Sequence, residues 1–175
     1  MEDGTVSSGW GDPGEEKLHH SGTWLHVPAR GRLRVVILST EPYRYRGHWV
    51  GVRMVLCSGR YCAFCERHMG YQTRYAFSVL DAETRACGLL EVGAAAAEAI
   101  WRQCQAEGRL RGLVFVLRKE QGRERGTILV TPEASIMSAE LLPAAEDVRP
   151  HLMRQWSPTT SVVERLELER GGAGR

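Results

Sequence analysis

Short runs of apolar and β-branched residues fill the middle of the chain and predict a protein built mainly from β-strands. LRVVILST (33–40) has the length of a strand and is followed by a proline two residues later, and WVGVRMVLC (49–57) alternates apolar with other positions. RYAFSVLD (74–81) predicts a third strand, and CGLLEV (87–92) predicts a short hairpin partner for it. The pattern therefore predicts three strands and one short hairpin partner in the first half of the chain.

After these strands, the spacing of apolar residues changes to that of a helix. GAAAAEAIWRQCQAEG (93–108) is rich in alanine, and its apolar positions, which include Ile100 and Trp101, recur at helical spacing. We expect Trp101 to be buried, as we do Phe77 and Phe115. Two further strands, at 110–120 and 127–131, predict a hairpin after the helix.

This order of elements predicts an OB-fold. A five-stranded Greek-key barrel with one helix between its third and fourth strands is the arrangement of that fold. A cysteine-rich loop then lies between the second and third strands. An SH3-like barrel and an α+β sandwich fit much of the same pattern and stay open as alternatives.

The flanking segments differ in composition from the middle and give three regions. Residues 1–30 are polar and rich in glycine and predict a flexible N-terminal segment. Residues 31–135 predict the folded domain. Residues 136–175 predict a partly flexible extension with a short amphipathic helix at 161–170.

Charge is segregated along the chain although the net charge is only +2. Residues 30–75 carry nine arginines against two glutamates, and residues 109–125 carry five arginines and one lysine against two glutamates. Codon bias would explain the preference for arginine over lysine but does not explain the clustering. Two basic segments in an acidic frame are typical of a surface that binds a polyanion.

The stretch CSGRYCAFCERH (57–68) predicts a metal site. Cys57, Cys62 and Cys65 lie within nine residues among Ser, Gly, Arg and Glu, which is unlike the composition of a core. Three cysteines and one histidine are a set typical of a closed structural zinc site. We therefore expect one structural Zn²⁺.

Two histidines compete as the fourth ligand. His68 is three residues from Cys65 and is the easier choice on spacing alone. His48 precedes Cys57 by nine positions, and a straight strand of that length would separate the two by roughly 30 Å. His48 serves only if the segment turns back on itself, which Gly47 and Gly51 allow.

The sequence carries no feature of an enzyme or a membrane protein. It has no Walker loop, no G-x-S-x-G motif and no dense carboxylate cluster, so we expect no enzymatic activity. The acidic, glycine-rich start is unlike a signal peptide, and no apolar run is long enough to cross a bilayer. We expect a cytoplasmic protein with reduced or metal-bound cysteines.

The order His48, Cys57, Cys62, Cys65 resembles the zinc loop of the single-stranded-DNA-binding proteins of T-even bacteriophages and of similar phage and mobile-element proteins. The resemblance covers about residues 33–135 and includes the strand RYAFSVLDAETR, the segment GLLEVG, the helix and a hairpin ending like TILVTPEAS. It implies an OB-fold, a structural zinc ion held by His48 rather than His68, and a role in replication, recombination or transposition.

Aromatic and basic residues interleave around the cysteines, as in single-strand binders that combine phosphate contacts with base stacking. We predict that the protein binds single-stranded DNA without strong sequence preference. The alternative is a zinc-stabilised adaptor of a larger complex, with an RNA or protein partner. The predicted nucleic-acid-binding residues are Tyr43, Arg44, Tyr45, Arg46, Trp49, Arg53, Arg60, Tyr61, Phe64, Arg67, Arg74, Tyr75, Arg111 and Arg118.

Overall fold

A computed structural model describes residues 23–51, 53–120 and 126–156. The strands are β1 (Trp24–Leu25), β2 (Leu33–Ile37), β3 (Tyr43–Val50), β4 (Arg53–Leu56), β5 (Gln72–Asp81), β6 (Cys87–Gly93), β7 (Leu113–Lys119) and β8 (Ile128–Ile136). The helices are α1 (Ala63–Glu66), α2 (Ala94–Glu107) and α3 (Val148–Trp156), with short 3-10 turns at Gly59–Tyr61 and Ala139–Leu141. The predicted helix at 161–170 lies outside the described residues.

The eight strands form one mixed sheet that does not close on itself. The pairing runs β1-β6-β5-β2-β7-β8, and β3 pairs with both β4 and β5. The second edge of β6 pairs in parallel with β1, where Trp24 and Leu25 lie opposite Leu89 and Leu90. The prediction of a mainly β protein is confirmed, and that of a closed five-stranded barrel is not.

The largest core lies between the sheet and α2. It contains β-branched and aromatic side chains from the central strands, among them Val35, Phe77 and Phe115, each at most 1% exposed. Ala96, Ala97 and Ile100 form the buried face of α2, which ends at Gly108 in the left-handed conformation (φ 67°). Trp101 is 51% exposed, so the prediction that it is buried is wrong.

The predicted strand at 49–57 is a hairpin. β3 ends at Val50, Gly51 has a φ of 62°, and β4 begins at Arg53. Residues 43–48 also belong to β3, although alternating tyrosine and arginine next to a proline and a glycine has little of the apolar character that predicts a strand. Along the chain, the hairpin and the cysteine-rich segment lie between β2 and β5, the two strands at the centre of the sheet.

The folded part of the chain extends beyond the predicted boundaries. Before residue 31, β1 pairs with β6, and Val27 is 4% exposed in the main core. After residue 135, α3 packs on β4 and β5, where Val148 and Leu152 join Tyr45, Ala76 and Leu89 in a separate buried cluster. In the described part of the chain, no helix has the length and apolar character needed to span a bilayer.

An ion pair joins β2 to β8. It should make the stability of the protein depend on pH. Arg34 Nε and Nη2 donate to the Glu133 carboxylate at 2.9 and 2.7 Å. The hydrogen bond with Arg34 lowers the pKa of Glu133, so stability from this pair is present above the ordinary glutamate pKa of about 4.3 and lost as the pH falls through the lowered value. Glu133→Gln should therefore lower the melting temperature at pH 7, and its difference from the wild type should disappear in acid. An equal difference at pH 7 and pH 2 would contradict this.

Candidate metal centre and the adjacent arginine groove

Four side chains converge at the end of the β3–β4 hairpin. His48, Cys57, Cys62 and Cys65 present one nitrogen and three sulfur atoms that all lie within 4.8 Å of one another. The residues lie close enough together to hold one metal ion. His68 is exposed and lies outside this group, in a left-handed conformation with φ of 57°.

The hairpin explains why His48 reaches the cysteines. His48 lies opposite Val55 in the β3–β4 ladder, so the reversal near Gly51 brings β3 back beside the residues that follow β4. The pairing continues beyond β4, because the N–H of Cys57 donates to the carbonyl of Arg46 at 2.9 Å. The separation expected for a straight strand does not arise.

The two remaining cysteines are held by short helical turns. Cys62 follows the 3-10 turn Gly59–Tyr61, and its N–H donates to the carbonyl of Gly59 at 3.2 Å. Cys65 lies in α1, one helical turn later. The C-x2-C spacing therefore places both sulfur atoms on the side of the loop that faces β3.

The distances between ligand atoms fit a tetrahedral ion. His48 Nε2 is 3.5 Å from Cys62 Sγ and 3.4 Å from Cys65 Sγ, and Cys57 Sγ is 3.5 Å from Cys65 Sγ. A zinc ion with bonds of about 2.3 Å to sulfur and 2.0–2.1 Å to nitrogen would separate its ligands by about 3.5–3.8 Å. These three of the six separations are therefore close to those around such an ion, and all six are at most 4.8 Å.

Contacts around His48 fix the orientation of its ring. Nδ1 lies 3.1 Å from the carbonyl oxygen of Gly70, and because a carbonyl only accepts, Nδ1 carries the proton. Nε2 is then the nitrogen with a free lone pair, and it faces the sulfur atoms. Phe64 packs on the ring at a centroid distance of 5.5 Å, and His48 is fully buried.

The thiols differ in how readily they ionise. Burial raises the pKa of Cys62, but hydrogen bonds from the backbone of Cys65, Ser58 and Phe64 outweigh it and lower that pKa to about 6. Hydrogen bonding with Cys57, together with burial and the other nearby sulfur atoms, raises the pKa of Cys65 to about 11. Ionisation of Cys65 next to the other sulfur atoms is therefore disfavoured unless a cation offsets the negative charge.

A groove lies beside the metal centre, between β3, the cysteine-rich segment and α3. Its volume is about 910 Å³. Four arginines line it, namely Arg44, Arg46, Arg60 and Arg149, and we call it the arginine groove. Cys57 and Cys65 also line it, whereas Cys62 and His48 lie below the surface.

The predicted nucleic-acid-binding residues fall into three groups by exposure. Seven are exposed: Tyr43, Arg44, Arg46, Trp49, Arg60, Tyr61 and Arg118. Five are half-buried: Arg53, Arg67, Arg74, Tyr75 and Arg111. Tyr45 and Phe64 are buried, at 8% and 4% exposure. Most exposed members lie on β3 or in the cysteine-rich segment, whereas Arg118 lies on β7.

Tyr45, one of the predicted nucleic-acid-binding residues, is buried because α3 covers it. The ring packs with Ala76, Leu89 and Leu152, and its hydroxyl donates to the Glu91 carboxylate. Burial and the Glu91 charge both raise the pKa of Tyr45. The side chain is therefore part of the interior and is not available to stack with a base.

Phe64 and Arg111, which also belong to the predicted set, make contacts that support the fold. Phe64 packs against His48 and lies in a small cluster with Val55 and Cys62. Arg111 donates to the backbone carbonyls of Leu38, Leu142 and Pro143 at 2.6, 2.9 and 2.8 Å. Arg111 therefore links the C-terminal extension to the residue that follows β2. Its guanidinium group is engaged in hydrogen bonds with backbone carbonyls.

Sequence reasoning missed the residues that α3 contributes to the groove. Arg149 and Met153 lie on α3, in a segment assigned to the extension, and they line the groove opposite β3. The sequence VRPHLMRQW carried little signal, because a proline lies inside it and its apolar positions are few. Tyr71, 50% exposed, lies under Arg46, whose guanidinium carbon is 4.6 Å from the ring centroid.

No protein-family model, curated protein or solved structure matches the chain. Function is therefore inferred from the candidate metal centre, the groove and the order of the strands.

Proposed function

We propose that the protein binds single-stranded DNA with little sequence preference and that one structural zinc ion holds part of its binding surface. The observation that carries the proposal is the grouping of exposed arginine and aromatic side chains around the metal centre. Arg44, Arg46 and Arg60 lie beside Tyr43 and Tyr61, and Tyr61 is 80% exposed. Arginines that contact phosphates and aromatic rings that stack on bases are the two components of single-strand binding.

The order of the strands supports an OB-type assignment. If β2, β5, β6, β7 and β8 are numbered 1 to 5, their order in the sheet is 3-2-1-4-5, with α2 between the third and fourth strands. OB-folds are partly open five-stranded barrels that bind oligonucleotides on strands 2 and 3 and on the loop between strands 1 and 2. Under this assignment the hairpin and the metal centre belong to that loop, one connection earlier than the sequence predicted.

The donor set supports zinc in a structural role. Three thiolates and one imidazole at tetrahedral spacing suit Zn²⁺, and four protein ligands leave no position for a water nucleophile. The ion would fix Cys57 next to β3 and Cys62 and Cys65 next to the turn that carries Arg60 and Tyr61. The metal would thereby order a polar loop whose own apolar cluster is small.

Binding to single strands should be strong, dependent on salt and reduced by truncation of Tyr61. Three or four phosphate contacts give a salt slope of about −2 to −3, so affinity should fall roughly 20- to 50-fold between 50 and 200 mM salt. Tyr61→Ala should weaken binding about tenfold for all sequences, because stacking contributes about 1–3 kcal/mol per base. Fluorescence anisotropy with single-stranded DNA, duplex DNA and RNA oligomers measures both effects.

Trp101→Ala is the matched control, since Trp101 is an exposed aromatic residue on α2, far along the chain from the cysteine-rich segment. This variant should bind single strands like the wild type. A salt-independent affinity, or equal losses in the Tyr61 and Trp101 variants, would contradict the proposal.

The alternative function is an adaptor within a larger nucleoprotein complex. Trp101 on α2 and Leu129 on β8 are each 51% exposed, and these two elements pack together. Exposed large apolar residues of this kind suit a protein partner. Absence of binding to every oligomer in the panel would favour this alternative.

A further inference from the structure

The wall of the arginine groove opposite β3 is formed by α3. Arg149, Leu152 and Met153 line the groove from this helix, while Arg44 and Arg46 line it from β3. Val148 and Leu152 are buried against the sheet, and Arg53 Nη2 donates to the carbonyl of Gln155 at 3.4 Å. The helix is therefore anchored to the hairpin and holds this wall in place.

The groove is lined by basic and by apolar side chains. Among the described residues that line it, four are arginines and none is acidic. The apolar part of the lining includes Leu56 of β4, Leu152 and Met153, and Met153 is 60% exposed. A polyanion that also carries flat apolar groups is complementary to this lining. The arginines can pair with its negative charges, and the apolar side chains can contact its flat faces.

We propose that α3 is part of the nucleic-acid site, with Arg149 binding a backbone phosphate and Met153 packing against a base. The occupant is a short segment of single-stranded DNA, and in this respect the inference depends on the proposed function. An unpaired base exposes its face to apolar side chains and a polarizable thioether, whereas a base inside a duplex does not. The site then extends beyond the predicted domain boundary at residue 135.

Asp147 restrains Arg149 in the free protein. Arg149 Nη2 donates to Asp147 Oδ2 at 3.0 Å, and the two side chains are 67% and 53% exposed. Because exposed ion pairs of this kind are weak, a phosphate can take the place of the carboxylate. Asp147 Oδ1 also accepts from the N–H of Arg149 at 3.1 Å, which an asparagine oxygen can do as well.

Three variants distinguish the contact of Arg149 with a phosphate from the contact of Met153 with a base. The measurement is the salt dependence of binding to a fluorescent oligothymidylate. Arg149→Ala should weaken binding about three- to tenfold and reduce the magnitude of the salt slope by about 0.7, the value for one phosphate of a single strand. Met153→Ala should weaken binding about threefold and leave the slope unchanged, since it removes an apolar contact. Asp147→Asn should tighten binding about two- to fivefold.

Arg154→Ala is the matched control, because Arg154 is exposed on the same helix but does not line the groove. It should bind like the wild type. Circular dichroism melting of each variant establishes that the fold is retained. In a separate experiment, ultraviolet cross-linking of 5-iodouracil oligomers to the wild type should label Met153 or Tyr43.

The outcomes separate this inference from the proposed function. If the wild type binds single strands and Tyr61→Ala weakens that binding, while the Arg149 and Met153 variants bind like the wild type, the role of α3 is wrong and the proposed function stands. If the wild type fails to bind any oligomer, both are wrong.

Discussion

Replacing His48 by alanine should remove zinc from the protein, whereas His68→Ala should leave one zinc ion per chain. His48 Nε2 lies within 3.5 Å of two cysteine sulfur atoms, while His68 lies outside the group. Structural zinc sites stabilise small folded units by about 10–16 kcal/mol at neutral pH, so even a partial loss is large. We expect the His48 variant to lose about 3–5 kcal/mol of folding free energy, which lowers the melting temperature by about 10 °C.

Metal analysis of the purified variants and their thermal melting with and without a chelator measure this prediction. The chelator should destabilise the wild type and the His68 variant and have no effect on the His48 variant. Cobalt substitution adds a spectroscopic check, because a tetrahedral site with three thiolates gives intense ligand-to-metal charge-transfer bands. Retention of stoichiometric zinc by the His48 variant would show that the ligand set is wrong.

Arg111→Met should destabilise the protein by about 2–4 kcal/mol and leave single-strand affinity unchanged below the melting temperature. The guanidinium group of Arg111 donates to four carbonyls that belong to the residue after β2 and to the start of the extension. Methionine fills similar space but leaves these oxygens without a donor. Lysine should restore only part of the stability, because its ammonium lacks the planar fork.

Arg109→Met is the comparison variant, since Arg109 is exposed and two residues away. Its free energy of unfolding, measured by urea denaturation, should stay within about 0.5 kcal/mol of the wild type. A loss of affinity without a loss of stability in the Arg111 variant would restore this residue to the nucleic-acid surface.

The regular elements of the core could be predicted because their apolar period is strong. The segments 33–40, 74–81, 87–92 and 110–120 each overlap a strand of the structure, and 93–108 contains α2. The strand β3 was missed, since its buried side chains meet partners on elements distant in sequence. Its pattern of tyrosine and arginine carries no apolar stripe.

The metal centre could be predicted only in part. The spacing of Cys57, Cys62 and Cys65 is local and gives the three sulfur ligands directly. The choice of His48 depends on a hairpin reversal at Gly51, which spacing alone does not reveal. On spacing, His68 was the easier candidate.

Exposure was harder to predict than position. Tyr43 and Tyr45 flank the same residue, Arg44, yet Tyr43 is 38% exposed and Tyr45 is 8% exposed. They differ because Leu152 of α3 packs on Tyr45, and nothing near residue 45 in the sequence indicates that contact. The same distant helix contributes Arg149 and Met153 to the groove.

The central position of β2 has a consequence for the order of folding. Val35 of β2 pairs with Phe115 of β7, 80 residues later in the chain. His48 and Cys65 are separated by only 17 residues. Because closing a short loop loses less entropy and occurs sooner, the hairpin and its ligands can assemble before the sheet is complete. On a ribosome, zinc would then be captured while β7 is still unsynthesised, and the ion would act as a template for the first half of the sheet.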